Sequence, residues 1–279
     1  MRQGAPDLVS IHPSAVVDPA ARLGADVTVG PFCVVGPDVV LGDGVELKSH
    51  VVVAGHTSIG AQTRVFPFAS LGHEPQDLKF KGEVTRLEIG AHCTIREGVT
   101  MNPGTAGGGA LTKVGDRCTF LAYSHVAHDC IVGNNVVFSN NVMLAGHCRV
   151  GDFVIIGGGA GVHQFVRLGD HAFVGAMSGI ANDVIPYGMA VGESRQAQLS
   201  GLNIVGLKRR GFTLDQVHDL RRAYRLLFAP EGTLKERVED VATEFEAHPL
   251  VHEILDFIRE GGDRSICTPR EVRSSEPNS

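Results

Sequence analysis

The sequence predicts a parallel β-helix of six-residue repeats followed by a small all-α domain. Three observations lead to that class. Aliphatic residues recur at every sixth position over most of the chain, glycine is abundant at 35 of 279 residues, and the periodicity turns helical after about Tyr187. The first aliphatic run passes through Ile11, Val17, Leu23, Val29, Val35, Leu41, Leu47, Val53, Ile59, Val65 and Leu71. Glycine follows six of them, at Gly24, Gly30, Gly36, Gly42, Gly60 and Gly72. The rhythm lapses, resumes at Ile89, Ile95 and Met101, and lapses again from Gly104 to Lys113. A second phase then runs from Val114 through Phe120, Val126, Val132, Phe138, Leu144, Val150, Ile156, Val162, Leu168 and Val174 to Ile180. A period of six suits neither an amphipathic helix nor an alternating strand. It suits a short strand and a tight turn, repeated, with the aliphatic inward and a small residue next. Three such units make an 18-residue coil, and coils stack at about 4.8 Å, each burying its aliphatics against its neighbours. So narrow a prism accounts for the absence of tryptophan. The lapses near 73–88 and 102–113 are expected to be loops thrown out from the prism.

The β-helix is expected over residues 1–192 and the helical domain over 193–262. Thr213 and Gln216 form a capping box that opens a helix with Val217, Leu220, Tyr224 and Leu227 on one face. Pro230 and Gly232 break it, and Thr233 and Glu236 cap a second helix carrying Val238, Val241 and Phe245. Pro249 begins a third, with Leu250, Ile254 and Phe257, closed by Gly261 and Gly262. The Ser/Pro/Arg/Glu-rich stretch 263–279 reads as a disordered tail.

Composition removes several classes of function. A net charge of −6 argues against a general nucleic-acid binder. No apolar run approaches the roughly 18 residues of a membrane span. Residues 1–7 lack the apolar core of a signal peptide, so a cytoplasmic location is expected. Six cysteines, with no C-x-x-C pair, read as small buried side chains of a reducing compartment and not as a disulfide set.

Stacking geometry singles out a few of the 13 histidines. Residues 18 apart lie one above another, so His128, His147 and His163 fall near one edge on three successive coils, with His125 beside His128. Three imidazoles could bind zinc with an open position, or a neutral imidazole could take a proton from an attacking hydroxyl or amine. Asp129 either orients His128 or is a plain turn residue, because neighbours on a strand face opposite ways. Gln76, Asp77 and Lys79 read by themselves as an ordinary polar loop. Lys208, Arg209, Arg210, Arg221, Arg222 and Arg225 stand against Asp215 and Asp219, a local excess of positive charge. That patch suits a nucleotide diphosphate or an acidic protein partner.

The six-residue repeat resembles the hexapeptide family, which implies a left-handed parallel β-helix. Within it, the segments His125-Val126-Ala127-His128-Asp129-Cys130, Leu144-Ala145-Gly146-His147, Val162-His163-Gln164-Phe165 and Gly206-Leu207-Lys208-Arg209-Arg210-Gly211-Phe212 closely resemble the acyl-carrier-protein:UDP-N-acetylglucosamine O-acyltransferases. Those enzymes open lipid A biosynthesis by moving a 3-hydroxyacyl chain to the sugar 3-position. The resemblance implies that His128 is the general base, Asp129 assists it and the Gly146 N–H holds the oxyanion. It implies substrate contacts at Gln76, Asp77, Lys79, Asn102, His125, His147, His163, Gln164, Asn203, Arg209 and Arg210. It also implies acyl carrier protein and a UDP-sugar as partners, a homotrimer with sites between prisms, and no metal or other cofactor.

Three departures stand out. Asn102 replaces the family's usual histidine, Val205 replaces a frequent glutamate, and Ala176 stands where a relative has the glycine that ends its acyl groove. The added methyl at Ala176 implies a somewhat shorter acyl chain. Asn102 leaves open N-acyl transfer to a 3-amino UDP-sugar, and the histidines leave open a zinc enzyme of the carbonic-anhydrase type.

Overall fold

The computed structural model describes residues 8–192 and 197–270. Among these residues, short strands form three sheets of eleven, nine and eight strands, the faces of a triangular prism. The chain climbs as a left-handed β-helix, and every strand pair is parallel except that of Gly188–Val191 with Gln198–Leu202. The six-residue period sets the register: His125 pairs with Met143, Met143 with Gly161, and Gly161 with Gly179. The periodic aliphatics point inward, with Leu47, Val65, Ile95, Val126, Leu144 and Ile156 fully buried. Each such side chain is worth about 1.5–3 kcal/mol. The interior also admits two phenyl rings, Phe120 over Phe138 at 5.0 Å. Glycine after the inward residue is a matter of space: a Cβ on Gly30 would lie 1.7 Å from the Lys48 carbonyl oxygen on the next coil.

Most corners are made by the third residue after an inward aliphatic. Phe32, His50, Phe68, Asp129, His147, Phe153, Phe165 and His171 all take φ between 57° and 66° there. A left-handed conformation costs an ordinary residue roughly 1–2 kcal/mol. Hydrogen bonds down the corner offset it, as from the His147 N–H to the His128 carbonyl at 3.0 Å and the Phe165 N–H to Gly146 at 3.2 Å. Stacked side chains add to this, with Phe32, His50 and Phe68 in contact at 5.0 and 5.1 Å.

Both lapses of the rhythm are loops leaving the same corner. Arg64 pairs with Thr94, 30 positions on, and Thr94 with Thr119, 25 on. Against a coil of 18, the loops therefore insert 12 and 7 residues. Strand resumes at Arg86 and Leu111, three residues earlier than the spacing alone indicates, because Arg86–Ile89 and Leu111–Val114 pair over their whole four-residue length. The second loop carries a single 3₁₀ turn, Ala106–Gly108.

The helical end has one element that the periodicity did not reveal. α1 (Ile204–Arg209) is too short to show an apolar face, and it is capped by the Asn203 side chain accepting from the Gly206 N–H. α2 (Leu214–Leu227) and α3 (Leu234–Glu244) begin at the expected capping boxes, and α4 (Pro249–Glu260) begins at Pro249. A buried ion pair docks α4. The Arg167 Nε donates to Asp183 at 2.7 Å, while its Nη2 reaches the Phe257 carbonyl at 3.1 Å. No helix among the described residues is long and apolar enough to cross a membrane.

The expected disordered tail needs correction over its first part. Residues 263–270 return to the prism through the Asp183 N–H to Ser265 and the Cys267 N–H to Asp183, at 2.8 and 2.7 Å, and Cys267 is buried. Backbone partners and one buried side chain outweigh a polar composition. Residues 271–279 lie outside the described residues.

α1 is held against the corner column of Phe153, His171 and Tyr187, where Phe212 packs edge-on to His171. Burial, with the Arg210 charge nearby and Asp152 opposing, lowers His171 from 6.5 to about 4. Between those values the unfolded chain binds a proton that the folded chain does not, so stability falls as pH drops through that window. Urea unfolding from pH 7 to pH 4 should show this loss, and His171→Gln should flatten its share of the slope. An unchanged slope in the variant would place the loss elsewhere.

Candidate active site

His128 and Asp129 are neighbours in sequence whose side chains meet. The left-handed conformation of Asp129, φ 60°, breaks the alternation that would send them apart. Asp129 is therefore both the corner residue and the partner of His128, with Nδ1 and Oδ2 2.8 Å apart. Both are buried. The carboxylate is already oriented from below by the second loop: Oδ1 accepts from the Thr105 N–H and Oδ2 from the Thr105 hydroxyl, both at 2.7 Å. A carboxylate only accepts, so the His128 Nδ1 carries the hydrogen. Its Nε2 is left with a lone pair and opens on the cleft.

Two glycines of the second loop, Gly104 and Gly108, approach the same carboxylate. A Cβ on Gly108 would fall 2.0 Å from the Asp129 carboxyl carbon, and one on Gly104 would fall 2.8 Å from its Oδ1. Thr105 escaped the sequence reading. The signal for it is a threonine inside a glycine run, which only a close backbone approach requires.

Gly146 lies directly above His128. Among the described residues its N–H has no hydrogen-bond partner, which leaves a donor beside the imidazole. His147 stands edge-to-face with His128 at 5.0 Å and stacks flat on Phe165 at 4.5 Å. His125 is half-buried, and its Nδ1 is 2.7 Å from the Thr100 hydroxyl. Burial, and to a lesser degree His128, lower its pKa, while the Thr100 contact works the other way.

The histidine ladder is rearranged in detail. The corner column is Asp129, His147, Phe165, so Phe165 takes the rung above His147. His163 sits two residues earlier, with its Nδ1 2.7 Å from the Arg264 guanidinium. Among the described residues, the three potential ligand atoms that come within 4.8 Å of one another belong to His128, Asp129 and His147. Three imidazoles around one zinc is not the arrangement present. The carboxylate of the trio already accepts from Thr105 twice and from His128, so these residues do not fit that metal site.

Two clefts flank the His128–His147 contact. One, of about 660 Å³, is lined by Gln76, His125, His128, Gly146, His163 and Gln164, with an apolar lane of Met143, Gly161, Gly179 and Ile180. The other, of about 640 Å³, is lined by Asp77, Lys79, Lys81, Thr105, His147 and Phe165. The first loop thus brings Gln76, Asp77 and Lys79 to the site, and Asp77 Oδ1 accepts the Lys79 N–H at 3.0 Å.

The remaining candidates line neither cleft. Asn102 is buried, and its Nδ2 donates to the His73 and Glu74 carbonyls at 3.1 and 3.2 Å, fastening the first loop. Asn203 caps α1, and its Nδ2 donates to the His171 carbonyl at 3.0 Å. Arg210 donates to the Phe153 carbonyl at 2.8 Å, and Arg209 and Val205 are exposed on α1. Ala176 is exposed beside the corner residue Met177, and lines neither cleft.

Two family models match the chain. One, described as UDP N-acetylglucosamine O-acyltransferase, domain 2, covers residues 183–267; the other, bacterial transferase hexapeptide, covers 20–55 and 111–146. An acyl-[acyl-carrier-protein]–UDP-N-acetylglucosamine O-acyltransferase of Methylobacterium radiotolerans is 69% identical over 263 residues, 94% of this chain and 96% of its own. The protein of the same name from Bartonella henselae is 55% identical, covering 93% and 94%. The solved UDP-N-acetylglucosamine O-acyltransferase of Moraxella catarrhalis superposes with a TM-score of 0.88 at 39% identity, over 92% of this chain and 99% of its own.

The crowding at Gly146 gives a direct test. An added Cβ would lie 2.5 Å from the His128 Cε1 and 2.7 Å from its Nε2. Gly146→Ala keeps the backbone N–H but should displace the imidazole, and so cost activity about a hundredfold or more, the scale of losing a general base, with circular dichroism unchanged. Activity within threefold of the parent would show that His128 and Gly146 do not work together.

Proposed function

Because the chain belongs to the UDP-N-acetylglucosamine O-acyltransferase family, we propose that His128 is the general base for acyl transfer from a carrier-protein thioester to the 3-hydroxyl of UDP-N-acetylglucosamine. The observation that carries this reading is the carboxylate held by Thr105, which puts the His128 hydrogen on Nδ1 and the lone pair on Nε2. Nε2 takes the hydroxyl proton as the sugar oxygen attacks the thioester carbonyl carbon. Asp129 stabilises the imidazolium that forms. The carbonyl oxygen, now negative, accepts from the Gly146 N–H. When the tetrahedral centre collapses, the C–S bond breaks and the carrier thiolate takes the proton back from Nε2. The cycle leaves the enzyme as it began and yields the 3-O-acyl sugar and a free carrier thiol.

Charge and polarity divide the substrates between the clefts. Lys79 and Lys81, which share their cleft with Asp77 and Glu83, supply the cations for a phosphorylated sugar, and the lane over Met143, Gly161, Gly179 and Ile180 suits a hydrocarbon chain. Asn102 spends its amide on the first loop, so it gives the 3-amino-sugar reading no support of its own.

The site is proposed to be completed by a second copy in a cyclic trimer. His128 sits at one corner of the prism, whereas Asn203 and Arg210 sit on the column of Phe153 and His171 at another. Exposed Phe32, Phe68, Tyr123, Met143 and Met177 provide apolar surface for the association.

His128→Ala should lower kcat at least a hundredfold with 3-hydroxyacyl carrier protein and UDP-N-acetylglucosamine. Retained turnover would remove the base. Sedimentation should give three times the 29.6 kDa of one chain. Coexpressing His128→Ala with Arg209→Ala should yield mixed trimers that recover part of the activity, since one chain then supplies each missing group. No recovery would place both residues in sites of a single chain.

A further inference from the structure

The returning segment 263–270 does more than close the fold. Its backbone is tied to the prism through Ser265, Cys267 and the Leu199 N–H to Thr268, at 3.0 Å. That fixes where Arg264 lies, and Arg264 makes two contacts on the wall of the 660 Å³ cleft. Its Nε donates to the Gln164 carbonyl at 2.9 Å, and its Nη2 is 2.7 Å from the His163 Nδ1.

A guanidinium carries only donors and stays charged. The His163 Nδ1 must therefore be the acceptor, which makes the ring neutral with its one hydrogen on Nε2. The Gln164 carbonyl lies 3.3 Å from the same Nδ1. Without Arg264, that oxygen would draw the ring hydrogen to Nδ1 and leave Nε2 as an acceptor. Arg264 occupies the carbonyl and the nitrogen together, and so blocks the alternative tautomer from both sides.

We propose that Arg264 is a positioning residue that locks His163 as the Nε2–H tautomer, so that the cleft always offers substrate a hydrogen-bond donor at this point. The inference rests on the cleft being the substrate site. Its chemistry is separate from that of His128: His163 binds and moves no proton.

Two measurements test it in the full-length protein. The first needs no activity: nitrogen-15 NMR of the histidine rings, with His163 assigned by its absence in His163→Ala. The parent should show His163 protonated at Nε2, and Arg264→Met should move the hydrogen toward Nδ1. An unchanged tautomer in Arg264→Met overturns the proposal. The second is a double-mutant cycle. Arg264→Met should raise KM about tenfold, the scale of one lost hydrogen bond, with kcat within threefold. Arg264→Lys should recover most of the loss, and in a His163→Ala background Arg264→Met should change nothing further. Equal losses in both backgrounds would mean that Arg264 only holds the tail in place, and would also overturn the proposal. If the tautomer responds as expected while His128→Ala stays active, the acyl-transfer assignment of the site fails and the role of Arg264 at His163 stands.

Discussion

Everything in this molecule depends on a left-handed residue at the third position after most of the inward aliphatics. That conformation turns the chain by one face of the triangle, and the next strand pairs with the coil beneath. The cost of holding Phe, His or Asp in it is met by hydrogen bonds running down each corner and by side chains stacked along it. A corner residue points outward with its neighbour, where a strand residue would point away from it. This is why His128 and Asp129 can touch, and why His147 faces the same space from one coil higher.

The prism was largely legible in the sequence, because its physics is local and repeated. Inward positions from Val114 to Ile180 could be numbered without error, since burial there depends only on period. The helices that follow Thr213, Thr233 and Pro249 were legible for the same reason, each carrying its own start signal and apolar face. The site was legible only to within a residue. A spacing of 18 puts His128, His147 and His163 near one edge, but the corner belongs to Asp129, His147 and Phe165. An offset of one or two residues decides which face of the corner a ring occupies. Composition misled at the tail, where polar residues hide one buried cysteine and three backbone hydrogen bonds. Thr105 and Arg264 could not be placed, because their partners lie 24 and 101 positions away and share no period with them.

The polar groups of the site form a relay of orientation. Thr105 fixes a carboxylate, the carboxylate fixes a tautomer, and the tautomer leaves one basic nitrogen facing the cleft. His163 is arranged in the opposite sense, with a cation where His128 has an anion, so its outward nitrogen donates. Two imidazoles on one wall thus present opposite hydrogen-bonding character, set wholly by what stands behind each ring. At His125, burial is the main influence and lowers the pKa.

Both loops leave the prism from the same corner on consecutive coils, just beneath Asp129. Elsewhere in the coil, one inserted residue would slip every rung above it by one position and turn aliphatics outward. At these two exits length is free, because the register is re-established at Arg86 and Leu111 whatever lies between. The prism therefore works as a ruler with two open sockets. The segments that carry Gln76, Asp77, Lys79 and Thr105 can be lengthened or exchanged over evolutionary time while His128 and Asp129 keep their place.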